Sequence, residues 1–215
     1  MLRARVATDP PSLTYKTMRK LVGFVALGLP FAVSIPVYIY CGGFQSSISG
    51  YYYTGTRNVF VGSLFAIASF MACTRGYDVW DELAGYAAAA FAFVVALFPT
   101  SPDAGATCRE QHIAVIHGAA ASLLFLTLAV FCLVLFRMSA ENVTVTPRKL
   151  DRNRVYTICG CIILACMATA LGLELRRHFQ PAGAAPAKIF VPETLALIAF
   201  GVAWLIKGEL LLKDT

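Results

Sequence analysis

Few side chains in this sequence have the type and spacing that chemistry needs. The closest histidines, His112 and His117, are five residues apart. On a helix of 3.6 residues per turn they point about 140° apart, whereas an i, i+4 pair would share one face. The carboxylates Asp78, Asp81 and Glu82 precede an apolar run, where acidic groups cap free N–H groups and complement the helix dipole. Glu193 follows Pro192, an ordinary helix start. Lys207 reads as an anchor that snorkels to the membrane boundary. Cys159, Cys161 and Cys166 lack paired C-x-x-C spacing and read as small apolar residues. No Gly-rich phosphate loop, nucleophile elbow or H-E-x-x-H is present. No cofactor or metal is implied.

The elements that must position these groups are membrane helices. Of 215 residues 58% are hydrophobic and 14% are charged, against about 25% charged in soluble domains. The apolar residues form long runs that lipid must receive. Six runs qualify: Leu21–Tyr40, Val59–Thr74, Leu83–Pro99, Ile113–Phe136, Val155–Leu173 and Ile189–Ile206, the last extendable through Leu212. Residues 1–20 form a basic tail, and residues 21–212 one all-α, polytopic transmembrane bundle of about six helices. Pro30 and Pro36 predict a kink in the first helix. Arg75 would let the short second span reach the interface. Gly85 with Ala87–Ala90, and Gly118–Ser122, are small-residue faces suited to close helix packing.

Charge sets the orientation. Arg3, Arg5, Lys16, Arg19 and Lys20 precede the first span, and Arg137, Arg148, Lys149, Arg152 and Arg154 follow the fourth. Both segments belong in the cytoplasm by the positive-inside rule, so both termini are inside. Arg176, Arg177, His178 and Lys188 run against that rule in the fifth loop. The formal charge of +6 therefore reports topology, and a nucleic-acid partner is not expected. The first apolar stretch is too long for a cleaved signal and lacks a small-residue cleavage site, so it reads as a retained anchor. Cys41 and Cys108 fall in the first two outer loops, where an oxidising compartment favours a disulfide between them.

Ser47-Ile48-Ser49, Tyr51-Tyr52-Tyr53, Arg57 and Val59-Phe60-Val61-Gly62 form a block that resembles one in uncharacterised bacterial integral membrane proteins. Tyr77-Asp78, Phe98-Pro99-Thr100, His117 and the run from Glu193 through Trp204, Lys207 and Gly208 continue the likeness. It implies a six-span protein of the bacterial inner membrane and no particular activity. Asp81-Glu82-Leu83 with the later histidines also resembles alkaline ceramidase-like membrane hydrolases, whose zinc is held by histidines and an aspartate within seven spans. Here there are six spans, and Asp81 falls at the opposite membrane face from both histidines.

Tyr52, Tyr53, Arg57, His117 and Glu193 map to the outer third of the bundle, and a polar pocket opening outward is the leading functional expectation. Arg57 is expected to pair with Glu193. The protein would then bind or pass a small polar or lipid-headgroup ligand as a transporter, channel or sensor subunit. An intramembrane lipid hydrolase and a structural subunit of a homo-oligomer or larger complex are the alternatives. Membrane lipid is the expected partner in every case.

Overall fold

Caps, more than hydropathy, decide where two of the helices begin. A computed structural model of the chain describes residues 10–73, 79–102, 105–138, 146–181 and 185–212, with residues 10–15 described by backbone alone. Its helices are α1 (Pro10–Cys41), α2 (Arg57–Ala72), α3 (Val79–Leu97), α4 (Cys108–Leu133), α5 (Pro147–His178) and α6 (Phe190–Lys207). Short 3-10 turns cover Ser49–Tyr53 and Leu135–Arg137. Among the described residues there is no strand, so the chain is all-α.

Among the described residues five helices are long and apolar enough to cross a membrane, and α2 is a shorter apolar helix of 16 residues. At 1.5 Å per residue α2 reaches about 24 Å, somewhat short of a hydrocarbon core of about 30 Å. The α4 start lies five residues before the apolar run because Thr107 and Glu110 form a capping box. Thr107 Oγ1 accepts from the Glu110 N–H (3.3 Å) and Glu110 Oε2 accepts from the Thr107 N–H (2.8 Å). Thr146 accepts from the Lys149 N–H (3.1 Å), and Pro147 follows it at the first helical position. Hence α5 starts eight residues before its apolar run. Residues 10–20, expected as tail, already belong to α1. Arg3, Arg5, Thr74, Arg75, Tyr77 and Asp78 lie outside the described residues.

Each helix packs on its neighbours in the chain, α6 returns to α1, and α4 touches α6 across the interior. This circuit has two ends. Ion pairing of Lys16 with Glu209 (2.7 Å) joins the start of α1 to the end of α6. Lys149 and Lys207 both reach the Phe136 carbonyl after α4. The opposite end gathers the α1–α2 connection, the α3–α4 connection and the start of α6. Six helices thus bring both ends of the described chain to one side of the bundle, here termed the basic end.

The core runs through both halves. Gly85, Ala88 and Ala89 are buried, so this small-residue face packs as expected. Gly118, Ala119 and Ser122 are instead exposed. A Cβ on Gly201 would lie 2.9 Å from the Gly23 carbonyl oxygen and 2.6 Å from Leu27 Cγ, so α1 and α6 cross backbone to backbone there. Large rings fill the basic half: Trp204 lies 4.8 Å from Phe136 and 5.2 Å from Phe131, centroid to centroid.

The expected disulfide is absent. Cys41 and Cys108 are both free and exposed. Cys41 ends α1, which packs on α2 and α6, whereas Cys108 begins α4, which packs chiefly on α3 and α5. Neighbouring outer loops in the sequence are not neighbouring corners of the bundle.

Candidate functional site

The end opposite the basic one carries the residues expected to form a pocket, and the bundle divides them into three settings.

Glu193 serves the backbone. Its Oε2 accepts from the Ile48 N–H at 2.6 Å, at the head of the 3-10 turn. The Ser46 carbonyl reciprocates by accepting from Ile189 and Phe190 N–H groups, both at 2.8 Å. The start of α6 and the α1–α2 connection therefore cap one another, and each supplies what the other's exposed backbone lacks. Phe190 adds ring contacts with Phe44 (5.6 Å) and Tyr51 (6.0 Å).

His117 serves a helix terminus. The residue is 4% exposed, and its Nδ1 donates to the Phe98 carbonyl at 2.6 Å. A carbonyl only accepts, so the proton on that nitrogen follows from the geometry. The Val95 carbonyl is also within the ring's reach. The reason lies in the sequence: residues 99 and 102, four beyond Val95 and Phe98, are both prolines and have no N–H to offer. His117 supplies the donor that Pro99 and Pro102 withhold. Its expected place facing the interior holds, and its observed partner is backbone.

Tyr52, Tyr53 and Arg57 form the third setting. The Arg57 guanidinium lies 4.1 Å from the Tyr52 ring centroid, and its Nη2 also donates to the Tyr52 hydroxyl. Tyr53 meets Tyr52 edge to face at 5.3 Å and donates its hydroxyl to the Thr100 carbonyl at 2.6 Å. Burial pushes the Tyr53 hydroxyl above its ordinary range, with the Glu110 carboxylate adding to it. Tyr51, fully buried, is pushed up by the same desolvation.

The expected Arg57–Glu193 pair does not form. Arg57 is exposed, and no carboxylate among the described residues pairs with it. Glu193 is held on Ile48, leaving the cation to be steadied by an aromatic face instead. Sequence reasoning missed Thr56, whose buried hydroxyl donates to the Val33 carbonyl at 3.1 Å. That carbonyl is next to Ala32, the one Pro36 cannot serve, and a threonine just before a helix was the available signal.

The hydrolase constellation is not assembled. His112 Nδ1 donates to the Cys108 carbonyl (2.7 Å), His117 to Phe98, and Asp81 is at the basic end. Among the described residues no three His, Cys, Asp or Glu side chains converge. Lys207, expected to snorkel, turns inward onto the Phe136 carbonyl (3.3 Å), because the end of α4 leaves carbonyls in need of donors.

Fold and site together define a multi-pass α-helical membrane protein. Comparison with protein families, curated proteins and solved structures finds nothing that matches the chain.

Proposed function

We propose that this is a non-enzymatic protein of the bacterial inner membrane that binds, and passes or senses, a small polar or lipid-headgroup ligand at its Arg57 end. That end faces outward, and both termini face the cytoplasm, with Lys16, Arg19 and Lys20 of α1 and Arg148, Lys149, Arg152 and Arg154 of α5 on the inner side. The observation that carries the reading is the exposed Arg57 guanidinium over the Tyr52 ring, with no carboxylate partner among the described residues. A guanidinium steadied over an aromatic ring keeps its remaining donors for an anionic group. Glycerol 3-phosphate, a water-soluble headgroup probe, tests it. The thermal midpoint of the full chain in detergent should rise with the probe, and Arg57→Gln should remove the rise. An equal rise in Arg57→Gln would contradict the reading.

One observation favours a subunit role as a second reading. The apolar window of α5 is 22% buried, against 39–56% for the other four spanning helices. Its exposed residues include Ala165, Ala168 and Gly172, which align on one face. Cross-linking of the detergent-solubilised protein to a defined dimer or higher species would support that reading, and a monomer at all concentrations would end it.

A further inference from the structure

Helices α4 and α5 cross tightly near the basic end and part toward the other. A Cβ on Gly160 of α5 would overlap the Leu133 side chain and lie 3.3 Å from Cys132 Cβ, so α4 lies against that face. Positions four and eleven residues on from Gly160 keep its face of the helix. They are Leu164 and Leu171, and they are 39% and 61% exposed. The α4 side changes in step. Ala129, four before Leu133, is buried, whereas Ser122 and Gly118, seven and eleven before Ala129, are exposed. A Cβ on Gly118 would meet nothing within 4 Å. Facing sides of two neighbouring helices are thus covered in one half and bare in the other, which leaves a cleft open to the membrane.

From Gly160 to Leu171 the cleft runs about 16 Å, the depth of one leaflet of a hydrocarbon core of about 30 Å. Leu164 and Leu171 against Gly118 and Ser122 suit a hydrocarbon chain and offer only one hydroxyl. At the mouth of the cleft α5 ends in Arg176, Arg177 and His178, the basic group that runs against the positive-inside rule. Part of that charge complements the dipole at the helix end. Among the described residues no carboxylate is within ion-pair distance of either arginine, although Glu174, one turn back, feels the Arg177 charge. Two guanidinium groups above an apolar slot match the order of an anionic phospholipid, phosphate above chain.

We propose that an anionic phospholipid of the outer leaflet occupies this cleft, with one acyl chain between α4 and α5 and its phosphate on Arg176 and Arg177. The leaflet follows from the orientation given above, and the site itself is independent of the Arg57 shelf. The full chain in detergent is titrated with phosphatidylglycerol or phosphatidylcholine, and retained lipid is counted by native mass spectrometry. Phosphatidylglycerol should stay bound, and phosphatidylcholine should be lost. Gly118→Leu fills the cleft and should weaken phosphatidylglycerol binding about tenfold. Gly62→Leu, at an open glycine of α2, should leave it unchanged. Arg176→Gln combined with Arg177→Gln should weaken it by a similar factor, and Arg148→Gln at the basic end should not. If Gly118→Leu does not fold, Ser122→Leu carries that arm. The glycerol 3-phosphate response through Arg57 is read separately, so either proposal can fail alone. The cleft proposal is overturned by no retained phosphatidylglycerol, by equal retention of phosphatidylcholine, or by unchanged binding in the cleft or arginine variants. An equal loss in Gly62→Leu or Arg148→Gln overturns it too. So does a dimer that Gly118→Leu dissolves with no lipid retained, which gives the cleft to a second copy.

Discussion

The two halves of the bundle are held together by different means. In the basic half, helices meet backbone to backbone and rings fill the interior: Gly201 of α6 leaves no room for a methyl group beside Gly23 of α1. Toward the Arg57 end the glycines of α4 and α5 have open space, with nothing within 4 Å of a Cβ on Gly118 or Gly172. There the connections do the holding, through Glu193 on Ile48, Ser46 on the start of α6, and His117 on Phe98. Glu193 and His117 at one end are thus taken up by backbone groups. Arg57 is the exception at its own end.

The largest effect expected from this contrast is at the α1–α6 crossing. Gly201→Leu must push against a backbone oxygen, which is costly because neighbouring main chain cannot swing aside, and should destabilise by about 3 kcal/mol or more. The same change at Gly118 should stay within about 0.5 kcal/mol. Equal losses at the two positions, measured as thermal midpoints in detergent, would remove the distinction between the halves.

His117→Ala comes next. It opens a cavity and strips a donor from a carbonyl whose usual partner is a proline, at about 2–4 kcal/mol. His112→Ala, on an exposed ring, should change stability by less than about 0.5 kcal/mol. A silent His117→Ala would show that the end of α3 needs no external donor.

Smaller still is Glu193→Ala, which leaves the Ile48 N–H without its carboxylate, at about 1–2 kcal/mol. Because Arg57 does not touch Glu193, the loss in the double variant with Arg57→Ala should equal the sum of the single losses. Coupling between them would restore the ion pair that the residue types alone suggest.

These outcomes mark how much the sequence disclosed. Run length and composition were enough for the number and order of the helices, because lipid imposes a length that hydropathy records. Starts of α4 and α5 were missed by five and eight residues, since Thr107, Glu110, Thr146 and Pro147 carry polar turns beyond the apolar runs. Cys41 and Cys108 went wrong for another reason. Helix order around the circuit leaves no trace in hydropathy, so loops on one side looked closer than they are. Glu193 was legible as a helix start, but its reach to Ile48 spans 145 residues of sequence and no local pattern shows it. The role of His117 was readable in principle, from two prolines each four residues beyond a carbonyl in need. Lys149 and Arg152 read as topology markers in the sequence, and their hydrogen bonds to the Phe136, Met138 and Leu212 carbonyls needed the fold.

The native cysteines test the account most directly, because they sample both ends without any substitution. Cys41 and Cys108 are exposed at the Arg57 end, and Cys73 is exposed where α2 reaches the basic end. A membrane-impermeant maleimide applied to intact spheroplasts, without reductant, should label Cys41 and Cys108, and peptide mass spectrometry should find Cys73 modified only after the membrane is opened. Labelling of Cys73 from outside, or labelling of Cys41 and Cys108 only after reduction, would contradict it.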